Sequence, residues 1–94
     1  MIRRYWDHPL HVGKTDRFSI TVSDKWLAGQ ILTSATATFH SGGDLATITS
    51  TDIVGNSISV EITGVALGYP VVEIEYTTID REDCQKCVLS VEEC

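Results

Sequence analysis

The chain has 94 residues, and its 7 Lys and Arg against 13 Asp and Glu give a formal net charge of -6, which indicates one small acidic domain. The acidic balance argues against nucleic-acid binding, which depends on basic side chains that neutralise phosphates. We also expect no membrane span and no signal peptide, since no long apolar run occurs, and a core this small leaves little room for an enzyme active site or a small-molecule pocket.

β-branched residues dominate the composition, with 9 Ile, 9 Val and 11 Thr. These side chains are stiff at the first torsion and pack well on a pleated surface. No segment shows a long apolar period of the helical kind. The sequence therefore predicts an all-β protein.

Residues 1–15 are predicted to form an extended amino-terminal arm, because they lack alternation and contain Pro9 and Gly13. Tyr5 and Trp6 are its large aromatic side chains, and such side chains leave water only where something covers them. The arm either folds back on its own domain or docks on a neighbouring subunit. We expect the arm to reach a neighbouring subunit, with Tyr5 and Trp6 as the predicted anchors.

Residues 16–94 are predicted to form the folded domain. Alternation of apolar and polar residues starts at Phe18, a Trp-containing turn follows at Trp26, and further strands are predicted over 31–39, 45–51, 58–62, 69–79 and 86–92, with 69–79 the longest. About six or seven short antiparallel strands with closely spaced turns are typical of an immunoglobulin-like β-sandwich. A small barrel is the alternative.

The residues that could most readily carry out chemistry are three cysteines, Cys84, Cys87 and Cys94. The spacing of the first two is that of half a zinc site or of a redox pair. A complete zinc site would need one of the three histidines as a fourth ligand, and we predict neither a metal site nor a cofactor. Free thiols, a disulfide within the chain and a disulfide between chains all stay open, and Cys94 is the natural candidate for pairing across subunits.

Two stretches resemble the small fiber-tail adaptor proteins of tailed bacteriophages. Residues 16–32, DRFSITVSDKWLAGQIL, are similar to that family's acidic residue, alternating strand and W-L-x-G-x-x-I turn. Residues 64–92, GVALGYPVVEIEYTTIDREDCQKCVLSVE, are similar to its glycine-started loop, aromatic-bearing strand, polar hairpin and last strand. The acidic hairpin tip followed by cysteines and the amino-terminal arm depart from the family's pattern.

The resemblance implies a virion structural protein, assembled in the host cytoplasm, that connects a tail fiber to the tail, neck or baseplate by protein–protein contacts. The implied partners are other virion proteins and further copies of this chain in a homo-oligomer, without nucleic acid, membrane or small-molecule substrate. No catalytic residue carries over, and we predict that the protein is not an enzyme. A capsid decoration (cement) protein and a small carbohydrate-binding module are the alternative functions.

Overall fold

The computed structural model describes residues 4–94, in which nine strands and one helical turn follow one another. In chain order they are β1 (Arg4–Tyr5), β2 (Leu10–His11), β3 (Thr15–Thr21), α1 (Asp24–Leu27), β4 (Ser34–Ser41), β5 (Ala46–Val54), β6 (Ser57–Gly64), β7 (Val71–Thr77), β8 (Glu82–Val88) and β9 (Val91–Glu92).

The six longer strands, β3 to β8, form two sheets that share one core. One sheet has the order β1-β8-β7-β4 and the other has the order β3-β6-β5. The pairings among these six strands are antiparallel. The orders β4-β7-β8 and β3-β6-β5 correspond to strands C-F-G and B-E-D of an immunoglobulin domain. The prediction of an all-β, immunoglobulin-like sandwich is therefore confirmed.

The core is built by strict alternation along the central strands. Every second residue of β6 faces inward, and Ile58, Val60 and Ile62 are fully buried. On the facing sheet, β7 contributes Val72, Ile74 and Tyr76 in the same way. This is the arrangement expected when each strand buries one face, because successive side chains point to opposite sides of a sheet.

Two strands differ in their boundaries from the predicted ones. β5 continues to Val54 instead of ending at residue 51, and with nine residues it is the longest strand. β7 begins at Val71, because Pro70 has no N–H group to donate to a ladder. Its seven residues are therefore fewer than the predicted span of 69–79.

The helical turn α1 begins at a polar cap and ends in a left-handed residue. The hydroxyl of Ser23 accepts a hydrogen bond from the backbone N–H of Trp26 at 3.1 Å, as N-cap residues do. Ala28 then adopts a positive φ of 51° and closes the turn. The Trp26 ring packs edge-on against Tyr76 at 5.2 Å between centroids, so α1 covers this end of the core.

The sandwich measures 41 × 25 × 20 Å and has two ends formed by loops. We call the first the α1 end, made by residues 22–33, residues 54–56 at the turn from β5 to β6, and the turn at 78–81. We call the second the Tyr69 end, made by residues 8–14, 42–45 and 65–70. The strand registers place these loops at opposite ends, since β5 and β7 run from the Tyr69 end to the α1 end.

Candidate interaction surfaces

The amino-terminal segment lies on its own domain. Arg4 and Tyr5 pair in parallel with the end of β8, and Leu10 and His11 pair in parallel with β9. The Leu10 side chain is fully buried and belongs to the core. Alternation along the sequence does not predict these two parallel ladders, since each is only two residues long and its partner lies at the other end of the chain.

The two predicted anchors differ in what surrounds them. The Trp6 indole Nε1 donates a hydrogen bond to the backbone oxygen of Ser19 at 3.0 Å, and its ring packs on Phe18 at 5.0 Å between centroids. The Tyr5 ring stays 74% exposed on the outer side of β1, beside Val88 in register. Trp6 thus holds the segment to the domain, while Tyr5 remains available at the surface.

His8 makes the second attachment of the segment to β3. Its ring lies flat on Phe18, with 4.5 Å between centroids and 8° between planes. Nδ1 is 3.1 Å from Asp7 Oδ1, and Nε2 is 3.4 Å from Asp16 Oδ2. The hydrogen bond with His8 also lowers the pKa of the Asp7 carboxyl. Trp6, His8 and Phe18 therefore form a small aromatic cluster on the flank of the sandwich.

The side chains of the first two cysteines point to opposite faces of β8. Cys84 is exposed on the outer face, whereas Cys87 is buried on the inner face. Residues three apart on a strand point to opposite faces and lie about 10 Å apart, which is beyond the Cα separation that a disulfide spans. All three cysteines are free thiols in the structure, and Cys94 is exposed. Burial raises the pKa of the Cys87 thiol.

Residues 4–94 show neither a metal centre nor a membrane-spanning helix. In this range no group of three or more His, Cys, Asp or Glu side chains is placed to hold a metal ion. No helix in the same range is long and apolar enough to cross a membrane.

Exposed apolar side chains are concentrated at the two ends. Seven of the eight large apolar side chains that are exposed in the described chain lie there, and Tyr5 is the exception. At the Tyr69 end, one loop of five residues presents Val65, Leu67 and Tyr69, each more than half exposed. Val12 lies beside this loop, since it bridges to Gly64. Such clusters on a small domain mark contact sites for other molecules.

At the α1 end, each of the three loops presents one exposed apolar side chain. Ile79 is 82% exposed, Ile31 is 78% exposed and Val54 is 66% exposed. A groove of about 440 Å³ runs between Ile31 and the turn at Gly55 and Asn56. Ile31 lines this groove, and Val54 and Ile79 are exposed at the same end of the sandwich.

Side-chain hydrogen bonds tie these three loops to one another. Gln30 Nε2 donates to Asp80 at 2.8 Å, and the Thr78 hydroxyl donates to Gln30 Oε1 at 2.6 Å. Arg81 Nη1 donates to the backbone oxygen of Trp26 at 2.6 Å. The turn at 55–56 joins the same network through a backbone hydrogen bond from Val22 to Asn56 at 2.8 Å. These hydrogen bonds join the loops of the α1 end in the unbound chain, and preorganisation of this kind lowers the entropic cost of association.

Comparisons with known proteins bear on the fold. No protein family and no curated protein matches this sequence. A solved endo-fucoidan hydrolase of glycoside hydrolase family 107 aligns over 99% of this chain and 13% of its own, with a TM-score of 0.59 and 15% identity. Domains 4 and 5 of the S-layer protein SbsC align over 96% of this chain and 42% of theirs, with a TM-score of 0.58 and 18% identity.

A third solved structure, the cysteine protease inhibitor EhICP2 from Entamoeba histolytica, aligns over 95% of this chain and 92% of its own, with a TM-score of 0.52 and 8% identity. At these identities the likeness shows a shared sandwich fold. The chain spans only a small part of the hydrolase, so its fold occurs there as one portion of a much larger protein. A shared fold does not determine function, which depends on the particular surface residues of this chain.

Sequence reasoning missed the apolar residues at the two ends. Val65 and Leu67 fall in the loop of the stretch that resembles the adaptor family, and Tyr69 falls at the start of the predicted strand 69–79. Two large apolar residues between Gly64 and Gly68, with Tyr69 directly after them, are a usable signal, because a contiguous exposed apolar patch marks a contact site. Ile31, Val54 and Ile79 carry no such signal, since the fold places them at the same end from separate parts of the sequence.

Proposed function

We propose that this protein is a non-catalytic connector, an immunoglobulin-like module that binds one protein at each end. The observation that carries the proposal is the placement of exposed apolar side chains at both ends of a sandwich 41 Å long. Contact areas at opposite ends of a rigid body allow it to hold two partners at a set distance. Hydrogen-bonded strands between the ends supply that rigidity.

The setting we propose is the virion of a tailed bacteriophage, where the module joins a fiber to the tail, neck or baseplate. Support for this setting comes from the resemblance of residues 16–32 and 64–92 to fiber-tail adaptor proteins. The second stretch includes Val65, Leu67 and Tyr69, which make up most of the apolar surface at the Tyr69 end. Repetition around a symmetric tail would convert individually weak end contacts into firm attachment.

The test separates the two ends by mutation. One variant replaces Val65, Leu67 and Tyr69 with serine, and a second replaces Ile31, Val54 and Ile79 with serine. Each variant is co-expressed with tail-fiber and tail proteins of tailed bacteriophages, and the partners retained on the purified chain are identified by mass spectrometry. A control variant with Thr47→Ala and Glu75→Ala changes exposed polar residues on the two sheet faces.

We expect each serine variant to lose a different partner, while the control variant keeps both. Circular dichroism confirms that the variants are folded, which we expect because the replaced side chains are exposed. If both serine variants keep both partners, the connector proposal is wrong. Recovery of the chain from the head shell of purified particles, and not from the tail, would overturn the phage-tail setting and favour a decoration protein.

A further inference from the structure

The edge strand β4 differs from the other sheet edges in being unprotected from Ser34 to Phe39, before its register shifts between Phe39 and Ser41. Edge strands expose unpaired backbone groups, and proteins usually block them with charges, proline, bulges or covering segments. β3 is covered by the bond from Trp6 to Ser19 and carries Asp16 and Arg17. β5 has a register shift between Ile48 and Ser50. The carboxyl-terminal end of β8 is paired with β1.

β4 has none of these devices from Ser34 to Phe39. Its sequence there is SATATF, without charge, proline or glycine, and its pairing with β7 is regular over these residues. In the described part of the chain no strand lies on its other side. Its inward-facing side chains Ala35, Ala37 and Phe39 are only partly buried, although they pack against the core. A further strand at this edge would complete their burial.

The direction of the free backbone groups follows from the ladder between β7 and β8. Thr78 N donates to Arg81 O at 2.8 Å, and Leu89 N donates to Pro70 O at 2.9 Å. Even-numbered residues of β7 therefore bond to β8, and odd-numbered residues bond to β4. The β4 partners of Glu73, Glu75 and Thr77 are all even-numbered. Consequently the odd-numbered residues of β4 direct N–H and C=O away from the molecule, and these are Ala35, Ala37 and Phe39.

We propose that the β4 edge binds the β4 edge of a second copy, antiparallel, about a two-fold axis at Ala37. This register allows more backbone hydrogen bonds than a shift by one residue in either copy, because all three free residues find partners. Ala37 faces Ala37 of the second copy, and Ala35 faces Phe39. A small side chain opposite a large one fills the space between the two inner faces without a clash.

The outer face of this pairing is also compatible with itself. Thr36 faces Thr38 of the second copy, and such threonine pairs are favourable across strands. The nearest acidic residues are Glu73 and Glu75, one strand further inside each copy. Across the interface these carboxylates lie about 14 Å apart at the usual strand spacing, beyond the screening length of about 8 Å in physiological salt. Glu73 also has Lys86 Nζ at 3.9 Å.

This inference is independent of the connector proposal, because β4 lies between the two ends. It is tested by sedimentation and light scattering of the purified chain over a wide concentration range. We expect the mass to rise from 10.3 kDa towards twice that value. The variant T36K/T38K places like charges opposite each other across the two-fold axis, and we expect loss of the dimer. In T36K/T38E the facing side chains have opposite charges, and we expect the dimer to be retained.

Two further measurements test whether dimer formation involves the β4 edge specifically. The control variant S19K/T47K adds the same charge on the opposite sheet and should dimerise like the unmodified chain. The amides of Ala35, Ala37 and Phe39 should exchange with deuterium at least several-fold more slowly at concentrations where the dimer forms. A chain that stays monomeric at the highest concentration, or a T36K/T38K variant that dimerises normally, would overturn the proposal. Loss of the dimer in T36K/T38E would overturn its register.

Discussion

The indole of Trp6 donates its N–H to the backbone oxygen of Ser19, at 3.0 Å, and thereby closes an otherwise open edge of β3. The same ring packs on Phe18, so one side chain supplies both a polar and an apolar contact. This bond connects the end of β1 to the sheet that β1 does not pair with, since β1 belongs to the sheet of β8 and β7. Trp6 thus links the two layers on this flank.

Replacing Trp6 tests this role. Trp6→Phe keeps a ring but removes the donor, and we expect the free energy of unfolding to fall by about 0.5–1.5 kcal/mol. Trp6→Ala also removes the packing on Phe18 and should cost more. Urea denaturation followed by circular dichroism measures both. Tyr5→Ala is the matched control, and it should change stability by less than about 0.5 kcal/mol because that ring is exposed. Equal losses in the Trp6 and Tyr5 variants would contradict the assignment.

Gly64 is required where the amino-terminal segment crosses the end of β6. A Cβ atom at this position would lie 2.7 Å from the backbone oxygen of His11, closer than real contacts allow. The backbone of Gly64 also bonds to Gly13 and Lys14 at 2.9 and 3.0 Å. We expect Gly64→Ala to destabilise the protein by about 1–3 kcal/mol, as other overpacked sites do.

The effect of Gly64→Ala should be local to the amino-terminal segment. Amide exchange should accelerate at residues 10–13 and not in β7, whose contacts do not involve Gly64. The control is Gly55→Ala, where a Cβ has open space but φ is +62°. That variant should leave exchange at residues 10–13 unchanged. Faster exchange throughout the sandwich in Gly64→Ala would contradict a local effect.

Thiol labelling distinguishes the three cysteines. In the folded chain, iodoacetamide should modify Cys84 and Cys94, which are exposed, and should leave Cys87 unmodified until the chain is unfolded. The thiolate is the reactive species, and burial keeps Cys87 protonated. Mass spectrometry of peptides reads out each site. Labelling of Cys87 at the rate of Cys84 would show that the strand β8 is not packed as described.

The same cysteines decide whether a disulfide joins two chains. Cys84 or Cys94 can form such a bond, since both are exposed, whereas Cys87 cannot. If the bond forms under oxidising conditions, a non-reducing gel should show a dimer band that disappears in a variant with Cys84→Ala and Cys94→Ala. The Cys87→Ala variant should keep that band. A dimer band that depends on Cys87 would contradict its burial.

Stability should fall in alkaline solution because two buried groups resist ionisation. Burial raises the pKa of Cys87 above its ordinary value of 9.0, and burial likewise raises the pKa of Tyr76 above 10.0. Both groups ionise more readily in the unfolded chain. Their contribution to stability is therefore complete below pH 9.0 and is lost as the pH rises through the folded-state values.

Urea denaturation on either side of pH 9.0 measures this loss. Cys87→Ala should remove part of the pH dependence, because no thiol remains to ionise at that site. Cys84→Ala should leave the dependence intact, since that thiol is exposed in the folded chain. An identical alkaline slope in the unmodified chain and in Cys87→Ala would contradict the role of this thiol.

The sequence alone was enough to predict the sheet and its buried face. Ile58, Val60 and Ile62 alternate with polar residues. Because side chains along a strand point to alternate faces, all three are predicted to face the core together. The same rule places Cys84 and Cys87 on opposite faces once a strand is assumed. These features depend only on backbone stereochemistry within a few residues.

Only the tertiary structure determines which residues from distant parts of the chain contact one another. Leu10 pairs with Val91 and Trp6 bonds to Ser19 because the domain folds the chain back on itself, and neither partner can be read from neighbouring residues. Ile31, Val54 and Ile79 likewise come to the same end of the sandwich only through the folding of three separate segments. Local patterning settles which side of a strand is apolar, whereas contacts between distant segments depend on how all strands pack at once.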